Sequence, residues 1–476
     1  MIELQTSRPR PYKSQPNVPS LPKARMSCPK STKDFHVIPI PQRLRYDPEK
    51  PFQFGLGLNL FLAFSCTFTV ANLYYCQPLL IQISEFFEVS YIESSKAATI
   101  IQAGHAVGLI FFGPLGDLLP RRLLILTLTL CSFTLTLCLA LVPNWNAFLV
   151  LFFLAGLVNI LPQVLVSLTV DLAPPSKRAF ALSITIAGLI LGILIARVFA
   201  GLIAEFANWR VVYYFAVGMQ GVVLVACYTL IPDYPVKNED LGYWELIRSM
   251  VVYAATEPLL IQAYLVNFLS SACLMNFWVT LTFLLGGEPY HYSTLVIGLF
   301  GLIGIFGVCM TPLAGRLLDK LLPWYSSVLA TIFTACFQGL LVGAAGINIA
   351  PIILAVLGID IFRQILQVSL QVSIFSISRE ATARLNAVFV ISLFLGQVMG
   401  ADVGSRVFLE YGWRAGAGLS LGWTGLALLI LLVRGPHCER KTWFGYQGGF
   451  RQKKVKQQDE ENGLEEVDQE GTSSGR

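Results

Sequence analysis

Five polar residues, Asp360, Arg363, Gln364, Gln367 and Gln371, punctuate the otherwise apolar run from 350 to 375 at steps of three and four. On a helix those steps fall on one face. Glutamine amides both donate and accept, and Asp and Arg add charge, so the stripe could hold a small polar molecule. It could equally be an internal Asp360 to Arg363 ion pair that neutralises both groups. Other polar residues stand in apolar surroundings: Asn72 with Tyr75, Asn159 and Gln163 on either side of Pro162, and Asn276. Each could touch a ligand or tie two helices together. Three more are candidates for coupling. His105, one turn after Gln102, could titrate near neutral pH or be a hydrogen-bonded packing residue. Arg197 has no partner on its own helix, which suits an anion or gate contact, whereas Asp402 can pair with Arg406 four residues on. An ionisable group in hydrocarbon is costly unless it is paired or faces water, so each invites a functional role.

The chemistry on offer is binding, charge compensation and proton movement, not bond making. A pump driven by ATP would need a GxxxxGK[ST] loop to cradle phosphates, and the chain has none. HExxH and paired CxxC patterns are missing too, and histidine occurs only at 36, 105, 291 and 437. No enzyme activity, metal or other cofactor is expected.

The elements that position these residues follow from composition. With 55% hydrophobic and 13% charged residues, this chain of 476 residues has more apolar surface than one soluble core can hide, which places it in a lipid bilayer. Apolar runs of about 20 residues predict spans at 56–77, 95–116, 123–142, 146–169, 180–203 and 210–231. The remainder gives 258–285, 293–314, 324–343, 350–375, 385–407 and 413–433. The expected fold is an all-α membrane protein with twelve transmembrane helices. Residues 1–55, rich in Pro, Lys and Arg and lacking the apolar core of a signal peptide, read as a disordered arm, 232–257 as a linker, and 434–476 as a disordered tail.

Arg121, Arg122, Lys177, Arg178, Lys237, Arg248, Arg316, Lys320, Arg379 and Arg384 all fall in alternate loops, against Lys96, Arg210 and Arg414 on the other side. The positive-inside rule then puts both termini in the cytoplasm. The net charge of +5 lies mostly in the tails and points to no nucleic acid. Most cysteines lie singly inside spans and read as small apolar fillers.

The chain is also duplicated. GPLGDLLPRR at 113–122 has a diverged copy, TPLAGRLLDK, at 311–320. The stretch from Gly192 to Arg210 lies over that from Gly396 to Arg414 at an offset of 204 (396 − 192), and Asn72 and Asn276 keep the same spacing (276 − 72). A same-direction repeat of this length implies two like-oriented six-helix bundles, 56–231 and 258–433.

GPLGDLLPRR resembles the G-x-L-x-D-x-x-x-R-R loop of the major facilitator superfamily. NLYYCQPLL at 72–80, DLAPPSKR at 171–178, GILIARVFAG at 192–201 and VIGLFGLIGIFGVCMTPLAGRLLD at 296–319 look like a subgroup of bacterial-type efflux permeases. The resemblance covers about 56–433. It implies a substrate cavity between the bundles, lined by helices 1, 4, 7 and 10, that opens to either side in turn. Asn72, Tyr75, Asn159, Gln163, Asn276 and the helix-10 stripe would line it. It also implies a gating loop of Gly113, Gly116, Asp117, Arg121 and Arg122, with the glycines allowing a tight turn. Asp117 would face the start of helix 11 near Arg384 and Asn386. Two departures blur the drug-antiporter pattern: Phe152 stands where those proteins carry Arg, and Arg197 replaces the Pro of their helix-5 motif.

The function this implies is a proton-coupled exporter of a small organic molecule, a drug-like compound or specialised metabolite, in the plasma membrane. The long arm on a bacterial-type core suggests a fungal source, by analogy alone. An uptake carrier for a small nutrient, or a non-transporting receptor or scaffold on the same fold, are the alternatives.

Overall fold

The computed structural model describes residues 33–34, 38–45, 54–174, 178–233, 242–304, 322–378, 381–436, 438 and 440–446. The first half holds α1 (Leu56–Ala71), α2 (Leu80–Phe87), α3 (Tyr91–Phe112), α4 (Leu115–Leu118), α5 (Arg121–Leu141), α6 (Trp145–Val158), α7 (Leu161–Leu172), α8 (Arg178–Phe206) and α9 (Arg210–Leu230). The second holds α10 (Tyr243–Thr256), α11 (Pro258–Gly286), α12 (Thr294–Gly304), α13 (Pro323–Ala344), α14 (Ala350–Phe375), α15 (Thr382–Tyr411) and α16 (Trp413–Val433). Among the described residues nine helical runs are long and apolar enough to cross a membrane, α6 and α7 counting as one, and α1 and α12 are shorter apolar helices. The repeat loop at 311–320 and the end of the span expected at 293–314 lie outside the described residues.

The duplication is visible in the packing. In the first half α1 packs on α8 and α5 on α9; in the second, α11 packs on α15 and α13 on α16. The halves meet where α15 lies along α3, and the largest core joins Ile101 and Leu109 of one half to Phe394, Ala401 and Val279 of the other.

Two prolines set the breaks that matter for the site, because proline lacks an N–H and its ring clashes with the carbonyl four residues back. After α1 the chain turns into a short 3-10 helix, Gln77–Leu79, with Pro78 at its start. Pro162 opens α7 after α6 has ended at Val158. The two breaks are tied together: Asn159 Nδ2 donates to the Thr69 carbonyl at 3.0 Å. Ser90 caps α3 by accepting from the Glu93 amide at 3.2 Å, as the S-x-x-E spacing predicts.

Several segments expected as tails or linkers make tertiary contacts. Residues 38–45 sit against α9: Tyr228 donates to the Pro39 carbonyl at 2.7 Å, Arg43 to Thr229 at 3.0 Å, and the Asp233 amide to Leu44 at 2.8 Å. Ile40 and Leu44 are buried there, which supplies an apolar reason for that part of the arm to dock. Within the expected linker, 243–256 is the helix α10. After α16, Arg434 pairs with Gly445, and Arg440 donates to both oxygens of Glu257 at 2.7 and 3.0 Å.

Candidate functional site

Arg197 of the first half, and Asp360 and Arg363 one turn apart on α14 of the second, are brought together through Trp278 where the halves meet. Arg197, on α8, donates through Nε to Gln77 Oε1 at 2.9 Å, and its guanidinium carbon stands 3.7 Å from the centre of the Trp278 ring. At that distance a cation is attracted by the face of the indole. Trp278, on α11, donates in turn to Asp360 Oδ1 at 3.4 Å. The other oxygen, Oδ2, is buried without a hydrogen-bond partner. One helical turn on, Arg363 gives one terminal nitrogen to Asn267 Oδ1 at 3.0 Å and Ser271 Oγ at 2.8 Å, and the other to Gln367 Oε1 at 3.1 Å.

The Asp360 to Arg363 ion pair, one of the two readings of the stripe, is not formed. Among the described residues the ion pairs are Arg121 with Asp171, Arg406 with Asp402, and Arg440 with Glu257. Two guanidiniums and one carboxylate leave the cluster one positive charge in excess when all are ionised. Gln77 is its hub, because its Nε2 lies 3.3 Å from Met275 Sδ and its carbonyl accepts from Thr282 at 3.0 Å, both on the second half. Tyr74, whose ring faces Arg197 at 5.7 Å, reaches across to Gln397 of α15 at 3.3 Å. A narrow recess with room for about one water opens beside the cluster, lined by Arg197, Gln77, Pro78, Trp278, Leu281, Thr282 and Ile297. A larger one of about 40 Å³ lies inside the second half, among Asn276, Phe277, Leu284, Gln338 and Trp413, away from the charges and mostly apolar.

The halves close over the cluster at the end away from Arg121 and Arg122. Gln82 donates to Thr294 Oγ1 at 3.2 Å, and the Leu295 amide to Glu205 Oε2 at 3.2 Å. A Cβ added to Gly201 of α8 would stand 2.7 Å from the Cα of Gly298 on α12, so glycine is what lets those helices cross so closely.

The other sequence candidates fall elsewhere. Asn72 turns inward to Thr136 Oγ1 of α5 at 3.4 Å, and Tyr75 is buried in the first-half core. Asn276 bonds the Gly416 carbonyl at 2.9 Å and Ser420 Oγ at 2.8 Å, inside the second half. Asn159 is spent on the α1 break described above. The amide nitrogens of the three asparagines tie helices together, while their side-chain oxygens and the Tyr75 hydroxyl are buried without a hydrogen-bond partner. Gln371 links α14 to Asn386 of α15 at 3.2 Å, Gln364 is half-buried, and Gln163 is half-buried with Oε1 enclosed and unbonded. Asp402 pairs with Arg406 at 3.0 Å on a partly exposed face of α15, outside the cluster. His105 is buried with its ring 4.1 Å from that of Phe394, where α3 meets α15, and neither nitrogen has a hydrogen-bond partner.

The gating loop differs from expectation. Arg121 and Arg122 are 2% and 1% exposed, not inner-face charges. Arg121 donates to the Gly116 carbonyl at 3.1 Å and pairs with Asp171 of α7; Arg122 donates to the Tyr228 carbonyl at 2.8 Å and to that of Ile231. Both therefore staple the first half internally. A Cβ on Gly116 would meet only Val164 at 3.9 Å, so a side chain fits there, while Gly113 ends α3. The side chain of Asp117 lies outside the described residues. Arg384 stands 5.9 Å from the Tyr253 ring of α10.

Gln77, Trp278, Tyr74, Asn267 and Ser271 were not singled out from sequence. The signal for Gln77 was its place beside Pro78, where a broken helix exposes polar groups; Trp278 offered none beyond its size.

The family model described as Major Facilitator Superfamily matches residues 60–401. The chain is 31% identical over 384 residues to the Uncharacterized transporter YgaY of Escherichia coli O157:H7, covering 80% of this chain and 96% of that protein. Among solved structures it is similar to the peptide transporter POT in complex with sulfate, with a TM-score of 0.63 at 15% identity over 80% of this chain and 95% of that one. It is also similar to the nucleoside transporter NupG, with a TM-score of 0.61 at 13% identity over 79% of this chain and 98% of that one. At such identities the likeness concerns the fold.

Proposed function

The chain belongs to the major facilitator superfamily and is a multi-pass membrane transporter, and from that premise we propose a secondary active exporter of a small organic molecule, exchanged for protons by alternating access. The observation that carries this reading is the cluster of Arg197, Asp360 and Arg363, charged and built from both halves beneath the contacts that close one end. Bonds that span the halves break when the halves rock apart, so what occupies the cluster biases which end is open. Asp360, with one oxygen unbonded, is the group to take the proton. Export is supported by the efflux-permease resemblance of NLYYCQPLL and GILIARVFAG. The end bearing Arg121 and Arg122 is cytoplasmic on the positive-inside rule, which puts the closed end outside, and the plasma membrane is the proposed location.

One observation favours a second reading, uptake. With two guanidiniums and one carboxylate, an acidic substrate and a proton on Asp360 favour each other's binding, which suits travel in one direction.

The test compares small molecules inside and outside cells that carry or lack the gene. A compound trapped inside the deletion cells and missing from their medium supports export. One left unused in the medium supports uptake, and an unchanged profile leaves a non-transporting receptor or scaffold.

A further inference from the structure

The geometry points to the recess beside Arg197 as a seat for the acid group of a small organic monoanion, with Arg197 as its direct ligand; this deepens, and rests on, the transporter reading. Arg197 is 5% exposed on a helix long and apolar enough to cross the bilayer. A guanidinium carries five N–H donors in a planar fork that matches a carboxylate or sulfonate. Among the described residues Arg197 makes one hydrogen bond, through Nε to Gln77. The terminal nitrogens, the edge of the fork that grips an acid group, are left for the recess that Arg197 lines. The other walls of that recess are apolar or neutral, and it must widen as the halves rock apart before Pro78, Leu281 and Ile297 can flank the apolar body of an organic acid.

The protein's own carboxylate does not fill this role. Asp360 is held through Oδ1 by Trp278 and forms no ion pair with Arg197. Arg363 is satisfied at both terminal nitrogens by Asn267, Ser271 and Gln367, so it adds positive field with only its buried Nε unbonded. A net positive charge in a low-dielectric interior is unfavourable until a counter-ion arrives. A monoanion neutralises the cluster; a cation adds to the excess, and a neutral compound leaves the fork unpaired.

The test uses the purified full chain and matched benzene and naphthalene compounds bearing a sulfonate, a sulfonamide or a trimethylammonium group. The sulfonates should raise the unfolding temperature, and their neutral and cationic counterparts should not. Arg197→Gln should raise the half-saturating sulfonate concentration by about tenfold or more, with Arg197→Lys in between because it keeps the charge and loses the fork. Arg406→Gln, on the partly exposed face of α15, should leave it unchanged. Asp360→Asn removes a negative charge that opposes the anion and should lower that concentration by about tenfold. Tightening of this kind cannot come from misfolding. Equal shifts across the three charge types, a sulfonate shift that survives Arg197→Gln, or weaker binding in Asp360→Asn would each overturn the assignment. Failure of the transporter reading looks different: sulfonates bind in this way, yet no compound changes distribution in cells. If a neutral or cationic compound is moved instead, transport stands and the anion seat does not.

Discussion

Arg121 and Arg122 show how residue type and residue role part company. Two adjacent arginines at a helix start read as surface charge, yet both are buried and their donors go to the Gly116, Tyr228 and Ile231 carbonyls and to Asp171. Breaking a buried ion pair from one side typically costs more than the pair contributes, because a charge is left in a poor environment. Arg121→Ala should therefore lower stability by about 3 kcal/mol, read as an earlier unfolding midpoint of the purified protein. Arg406→Ala, which breaks a partly exposed pair, should shift it by less than about 1 kcal/mol. Equal effects would show that Arg121 acts only through surface charge.

At the scale of elements, the breaks and crossings matter more than the helices they interrupt. The break at Pro78 puts Gln77 at the start of a short 3-10 helix, where its side chain and carbonyl can both bond across to the second half. Gly201 and Gly298 let α8 and α12 touch backbone to backbone, which closes one end above the cluster. Gly298→Val should pry the two helices apart. A cysteine placed at Thr282, whose hydroxyl now bonds Gln77, should then react about tenfold faster with a membrane-impermeant thiol reagent added outside. Unchanged reactivity would mean that this crossing does not hold the end shut.

For the molecule as a whole, the segments outside the bundles are not passive. Residues 38–45 bury Ile40 and Leu44, each 4% exposed, against the first half, and Arg440 clamps residues after α16 to Glu257 at the start of α11. Removing residues 1–45 should cost about 3 kcal/mol from those two side chains alone, measurable by denaturant unfolding of the truncated protein. If the midpoint does not move, the docked segment contributes nothing to stability.

By itself the sequence determined the all-α membrane class, the like-oriented duplication and the polar face of α14, because apolar length, repeat offset and helical period are local properties of a chain. The i,i+4 pairing of Asp402 with Arg406 was legible for the same reason. Only the tertiary structure decided which polar residues bond within one half and which meet in the charged cluster. Asn72, Asn159 and Asn276, open to either role, donate to partners within their own halves, whereas Arg197, unpaired along its helix, meets Gln77 and Trp278. Such meetings depend on how each helix is rotated and how closely its neighbour approaches, and no periodicity along one segment records the rotation of another.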